Sequence, residues 1–338
     1  MLEYIDSNNC RLKYVEYCMD AKEKSYEMKV KTIEIPPIQP AKLDSYLVMI
    51  ASCNGLICST IRHHQLDDPI HIFNPVTREY EFLPRCISAE DIVSHEMLNG
   101  FGYSPSTGQY KVVRIYHKSD AWFFQVYILG NESSKWKEEK EIPNSLFHSG
   151  FPYSRSVFVN GEIYWLDYSS KIVAFSLADE EFRYIASPPI VGDSTRGRRL
   201  CVFGDWLCLV DHKSATREGN IHADIWLLKQ NNDMNVQHNG TWIWNKEFTV
   251  QSETRYKFDL IPLAFTENGK LLVWQDHEYV SCYDPKTAVL KKLDEYGHRS
   301  EIYQPAHHTN SFVSLKALGM KKACFIESSQ YEENVGED

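Results

Sequence analysis

The sequence predicts an all-β propeller made of four-stranded blades, and three observations carry that reading. A glycine turn leading into an apolar run recurs along the chain, at Asn54-Gly55, Asn160-Gly161, Gly204-Asp205 and Asn268-Gly269. A second, polar kind of break recurs between these, at Asn74-Pro75, around Ser176 and Glu180, and at Asp284-Pro285. The two kinds alternate: Gly55 to Pro75, Gly161 to Ser176 and Gly269 to Pro285 are separated by 20, 15 and 16 residues.

Each element follows from local chemistry. Asn-Gly tolerates the positive φ that tight hairpins demand. Proline presets φ and lacks an N–H, so Pro75 and Pro285 mark hairpin tips rather than central strands. Two strands flank each turn, which gives four-stranded units beginning near residues 46, 98, 153, 198 and 260. A period of roughly 40–60 residues is that of a propeller blade. A blade buries both faces only between neighbours, so its inner strands should be apolar on both sides, as Trp206-Leu207-Cys208-Leu209-Val210 is.

The segment 1–45 fits the same scheme. Residues 11–17 and 26–35 alternate with the period of half-buried strands. They are expected to complete a last blade with C-terminal strands that include Phe312-Val313-Ser314-Leu315, which would leave no free sheet edge. The count is then six blades, with five as the alternative. The propeller is expected over 46–320 and an acidic, disordered tail over 321–338. Ser88-Ala89-Glu90-Asp91 opens either a short helix reaching Met97 or a loop. Residues 191–199, 211–221 and 230–240 read as long polar loops.

Composition narrows the partners. The chain has 338 residues, 43% hydrophobic and 24% charged, within the globular range. Its net charge of −10 argues against nucleic acid or an anionic membrane as partner. No run approaches the ~18 apolar residues of a membrane helix, and the N-terminus lacks the pattern of a secretory signal. Nine cysteines without a Cys-x-x-Cys pair read as reduced thiols of the cytosol or nucleus. The sequons at Asn131 and Asn239 then read as chance.

Candidate chemistry is sparse. His63-His64 with Asp67-Asp68, and more weakly His307-His308, have a metal-like look but lack a third and fourth ligand at matching spacing. Gly100-Phe101-Gly102 lacks the third glycine and the helix of a phosphate loop. The turn acids Glu79, Glu180, Glu181 and Asp284 suit a propeller glycosidase only if they converge; as hairpin-tip residues they read as solvated. Trp165, Trp206, Trp226, Trp242, Trp244 and Trp274 lie in or beside strands, where packing between blades is expected, with a recognition pocket as the alternative. No catalytic residue, metal or cofactor is expected. The basic cluster Arg196, Arg198 and Arg199, and the pair His63 and His64, are the loop candidates for contacting a protein partner.

The wording of the repeats resembles one family. Residues 100–115 are similar to the "GFGY-x-P-x-T-x-x-YKVVR" signature of the plant F-box-associated domain, in the kelch-like group that includes S-locus F-box proteins. Residues 52–58 resemble its "SCNGLLC" opening, 73–79 its "NP-x-TRE" turn, and 160–166 its "NG-x-x-YWL" strand. Residues 172–182 and 224–248, and the Tyr283-Asp284 turn, resemble later motifs in the family's order. The resemblance implies a kelch-like propeller that selects proteins for a Skp–cullin–F-box ubiquitin ligase. Residues 1–45 read as strands with no F-box pattern, so a Skp-type adaptor and cullin are expected as partners only where an F-box is supplied. The expected function is non-enzymatic recognition of target proteins through propeller loops. The alternatives are an adaptor-free regulator that shields the same targets and, last, a propeller glycosidase.

Overall fold

The computed structural model describes residues 2–3, 12–20, 25–33, 35–36, 46–63, 66–85, 97–118, 120–143, 145–146, 156–167, 169–190, 197–213, 221–230, 242–252, 259–266, 268–276, 279–295 and 307–326. Among these residues every regular element is a β-strand.

Three N-terminal strands, β1 (Leu2–Glu3), β2 (Leu12–Asp20) and β3 (Ser25–Ile33), form an antiparallel sheet of their own. Blade 1 follows, with β4 (Tyr46–Cys53), β5 (Leu56–His63), β6 (Leu66–Phe73) and β7 (Glu79–Phe82). Blade 2 holds β8 (Met97–Ser104), β9 (Gln109–Lys118), β10 (Ala121–Ile128) and β11 (Lys140–Ile142). Blade 3 holds β12 (Val157–Val159), β13 (Glu162–Leu166), β14 (Ile172–Ser176) and β15 (Glu181–Ile185). Blade 4 holds β16 (Arg198–Phe203), β17 (Trp206–Lys213), β18 (Ile221–Gln230) and β19 (Trp242–Ser252). Blade 5 holds β20 (Leu260–Phe265), β21 (Leu271–Gln275), β22 (Tyr279–Asp284) and β23 (Val289–Glu295). Each blade is an antiparallel meander in chain order, and β24 (Cys324–Phe325) adds to the outer edge of blade 1 by pairing with β7. The architecture is therefore a β-propeller, with five four-stranded blades in the described residues.

The predicted turns fall where the hairpins form. Asn54 and Gly55 take φ of 48° and 82°, and Asn160 and Gly161 take 51° and 84°, the left-handed pair a two-residue hairpin requires. The first-to-second and third-to-fourth turns of a meander lie at the same end. All the turns read from the sequence therefore gather on one end of the propeller, the turn face. The second-to-third turns and the blade-to-blade connections lie at the other.

Apolar faces meet between consecutive blades. Ile50, Leu56, Cys58 and Ile72 of blade 1 pack on Phe101, Tyr110, Val112 and Tyr127 of blade 2. Separate buried clusters join blade 2 to blade 3, blade 3 to blade 4, and blade 4 to blade 5. Ile33 and Ile35, at the end of the N-terminal sheet, pack with Ile326 against Met49, Ile57 and Phe73, on the face of blade 1 turned away from blade 2.

The motif residues build these joints. A Cβ on Gly100 would fall 2.7 Å from Ile163 Cγ2 and 2.9 Å from Trp165 Cζ2, and one on Gly102 2.2 Å from the Phe158 ring. The two glycines therefore let blade 3 lie directly on β8. Lys111 is 2% exposed, yet it is fully engaged. Its ammonium donates to Leu177 O at 2.6 Å and to Glu180 Oε1 at 2.7 Å in blade 3, and Lys137 meets the same carboxylate. Arg114 is held by Gln125 Oε1 and lies 3.9 Å over the Trp136 ring, whose Nε1–H donates to Pro84 O.

Residues 307–326 form a strap over blades 1 and 2. Asn74 Nδ2 donates to Ser311 O and Val313 O, at 3.1 and 2.7 Å. Glu79 accepts from the Ser314 hydroxyl at 2.9 Å and the Leu315 N–H at 2.5 Å, and Glu81 accepts from Lys322 N–H. Leu315, Met320 and Ala323 enter the core between blades 1 and 2.

Several expectations are corrected. The N-terminal strands pair with each other, and 312–315 is a strap, not a strand, because its N–H and C=O groups go to the side chains of Asn74 and Glu79. Residues 321–326, placed with the tail by their composition, pack on blade 1 through Ala323 and Ile326. Glu79 is a buried acceptor and Glu180 a largely covered one paired with Lys111, rather than solvated turn acids. The helix-or-loop reading of 88–97 falls almost wholly outside the described residues, as do much of the long loops and residues 327–338.

Three outcomes follow for stability. Gly100→Ala drives a methyl into two fully buried side chains, and we expect a net loss of about 1–3 kcal/mol in urea unfolding. Glu79→Ala strands the Leu315 N–H, so we expect a loss of about 1–3 kcal/mol and faster proteolytic cleavage within 307–326. His71 is fully buried beside Ser59 Oγ, 2.7 Å from its Nε2, and burial lowers its pKa to about 3. The unfolded imidazole takes its proton near pH ~6.5. Stability from this site is full above that pH and falls as pH drops, because the unfolded state then binds the extra proton. Between pH 7 and 5 the site should cost about 2 kcal/mol, a loss absent from His71→Phe in paired urea titrations.

Candidate functional site

The turn face carries the candidate site. Among the described residues, seven of the ten exposed large apolar side chains gather at the turn face: Val76, Trp206, Trp242, Ile243, Phe265 and Val289 lie in or directly flank its hairpins, and Phe312 rides on the strap beside Asn54 and Asn74, while Phe82, Tyr184 and Phe325 lie on the outer strands β7, β15 and β24. Apolar exposure concentrated on one end of a molecule marks an interaction surface.

A cleft of about 420 Å³ opens there between blades 2, 3 and 4, within the ~300–1,000 Å³ range of ligand sites. Pro105, Tyr164, Leu207 and Leu228 supply apolar lining, and Trp206 and Trp242 stand at it, 37% and 53% exposed. Two turns frame it. Asn160 of the β12–β13 turn donates from Nδ2 to Asp205 O of the β16–β17 turn, at 3.2 Å, which ties blade 3 to blade 4. Trp244 Nε1–H donates to Ala186 O across the same boundary.

The charges in the cleft are arranged unequally. Arg183 Nη2 meets both Glu162 oxygens at 2.5 Å, and the Tyr164 hydroxyl donates to Glu162 Oε2 at 2.6 Å. Burial pushes the Tyr164 phenol up, and the Glu162 carboxylate beside it pushes further, so the phenol stays a donor. Lys229 lies 5.1 Å over the Trp206 ring and pairs with Glu247. Asp205 lines the cleft, and its charge also acts on His307 of the strap, where it opposes the burial that lowers the pKa of that imidazole.

The sequence candidates whose strands are described, Arg198, Arg199 and His63, lie at the other end. Arg198 and Arg199 open β16, so they are strand residues rather than loop residues. Arg198 pairs with Asp211 at 3.1 Å and Arg199 with Asp259 at 2.8 Å. His212 binds Gly197 O and accepts the Leu260 N–H, stitching blade 4 to blade 5. Burial lowers its pKa, with Asp259 opposing. His63 ends β5 at that same end. Arg196 and His64, and the side chains of the His63–Asp68 cluster, lie outside the described residues. His308 is buried with Nδ1 2.7 Å from Ser52 Oγ, its pKa lowered by burial to about 4. Among the described residues no group of three His, Cys, Asp or Glu side chains is placed to hold a metal ion. Four of the described cysteines are buried, with Cys53 pushed up to about 12 by burial, which makes it a packing residue rather than a nucleophile.

Of the tryptophans, Trp165 and Trp274 are the core residues expected. Trp206 and Trp242 are not. Each is the first residue of its strand, where the ladder begins and neighbours run out. That position was the available signal.

Fold and site together define a β-propeller with an aromatic cleft on its turn face. Residues 10–317 match the F-box associated beta propeller domain, and the chain belongs to that family. It is 24% identical over 298 residues to F-box protein At3g07870 of Arabidopsis thaliana, covering 74% of this chain and 66% of that one. It is 22% identical over 220 residues to the F-box/kelch-repeat protein At3g23880 of the same plant, covering 62% and 55%. It thus spans between about half and two thirds of the length of these curated relatives. The solved structure of YjhT gives a TM-score of 0.37 at 13% identity over 87% of this chain and 92% of that one, too remote to add to the topology above.

Proposed function

We propose that this domain is a non-catalytic target-recognition module, the substrate-binding part of an F-box receptor in a Skp–cullin–F-box ubiquitin ligase of the cytosol or nucleus. Targets bind the turn face. The observation that carries this reading is the clustering of exposed apolar side chains there, around a preformed cleft. Family membership supports the ligase context, since the relatives it matches are F-box proteins. The joints that fix the turns also favour binding. Buried struts such as Lys111–Glu180 hold adjacent blades, so the face is rigid before a target arrives, which limits the entropy cost of association.

The strap and the cleft belong to different blades. The strap and the N-terminal sheet gather at blade 1, while the cleft belongs to blades 2, 3 and 4.

The test is capture of proteins from plant extract by the tagged chain, identified by mass spectrometry. Trp206→Glu with Trp242→Glu should cut the captured set at least tenfold. Lys171→Glu, an exposed change at the opposite end, should leave it intact. Capture that survives the double change, or that is lost with Lys171→Glu, would place recognition elsewhere.

A further inference from the structure

We propose that the cleft holds an arginine or lysine side chain of the target, seated between Trp206 and Trp242 and facing the Asp205 carboxylate. This rests on the turn face being the recognition surface, and it adds the chemistry of the occupant.

The charge inventory of the cleft decides the sign. The one cation in its lining, Arg183, spends its Nη2 on both oxygens of Glu162, and Tyr164 donates to the same carboxylate, while Lys229, over the Trp206 ring at the edge, is paired with Glu247. The Arg183–Glu162 group is balanced within itself and offers no spare positive charge to an anionic ligand. Asp205 is different. Its backbone oxygen is used by Asn160, while its side-chain carboxylate has no hydrogen bond or ion pair among the described residues. With Arg183, Glu162 and Asp205 in its lining, the cleft carries a net charge of −1 (+1 −1 −1), and His307 of the strap is a titratable group on which Asp205 also acts.

Its walls are suited to the same occupant. Trp is the best aromatic partner for a cation, and Trp206 already attracts one, the Lys229 ammonium 5.1 Å from its ring. Trp242 is over half exposed and carries no such partner among the described residues. The apolar lining from Pro105, Leu207 and Leu228 suits the methylene stem of a long basic side chain, which buries its stem while its head stays near charge. The net charge of −10 adds long-range attraction for a basic segment and raises its association rate.

Fluorescence anisotropy tests this, with the full chain and two labelled peptides, one of alternating Arg and Ala and one of alternating Glu and Ala. The basic peptide should bind and the acidic one should not. Trp242→Ala and Asp205→Asn should each weaken binding by about 2- to 30-fold, the range of a cation–π or close-charge contact. Asp120→Asn removes the same charge from an exposed turn at the opposite end and should change nothing. The proposal is overturned if the acidic peptide binds, if neither binds, or if the basic peptide binds all variants alike, which would mean bulk charge only. Failure here alongside loss of target capture in the Trp206→Glu, Trp242→Glu chain removes only the cationic occupant. If capture also persists in that chain, the turn-face reading fails as well.

Discussion

Every blade of this protein has two apolar faces, and only a neighbouring element can cover them. That constraint shapes the rest. It explains why β8 carries glycine at 100 and 102, where side chains from blade 3 occupy the space a Cβ would need. It also explains why a lysine sits almost fully buried in β9. Lys111 crosses the blade 2–blade 3 boundary to reach Leu177 O and Glu180. A buried charge is tolerated only when paired and hydrogen-bonded, and here both conditions are met by groups from the next blade.

The first blade solves the same problem differently. Its face toward blade 2 is extended by the strap, which puts Leu315 and Met320 into the shared core. Its other face takes Ile33, Ile35 and Ile326, from opposite ends of the chain. Before β24 the strap has no strand ladder, and several of its backbone groups are satisfied by side chains of Asn74, Glu79 and Glu81. Close approach completes it. A Cβ on Gly130 would fall 1.6 Å from Leu318 O, and Gly130 N–H donates to the Met320 sulfur.

With the blades locked, the ends of the propeller become distinct surfaces. At the connection end, Arg198, Arg199 and His212 are consumed by Asp211, Asp259 and backbone groups. At the turn face, aromatic side chains remain in solvent around a cleft with one open carboxylate. The division follows from the meander: hairpin turns of both kinds share one end, so short rigid loops accumulate there.

The sequence by itself determined the blade grammar and the family. Asn-Gly and Asn-Pro turns announce strand ends through backbone constraints that act within a few residues, and strand alternation is equally local. The motif wording was legible too, but its meaning was not: Gly100, Gly102, Lys111, Asn74 and Glu79 are joints between blades and strap, not groups that meet a ligand. The tertiary structure alone decided which charges are spent and which aromatics stay exposed. The cluster Arg196, Arg198 and Arg199 looked available in the sequence, yet Arg198 and Arg199 are paired, while Trp206 and Trp242 looked like core and stay exposed. Partners such as Asp259 for Arg199 lie 60 residues away, and no local pattern encodes a neighbour at that distance. Exposure is a property of where the packing stops, which only the assembled blades define.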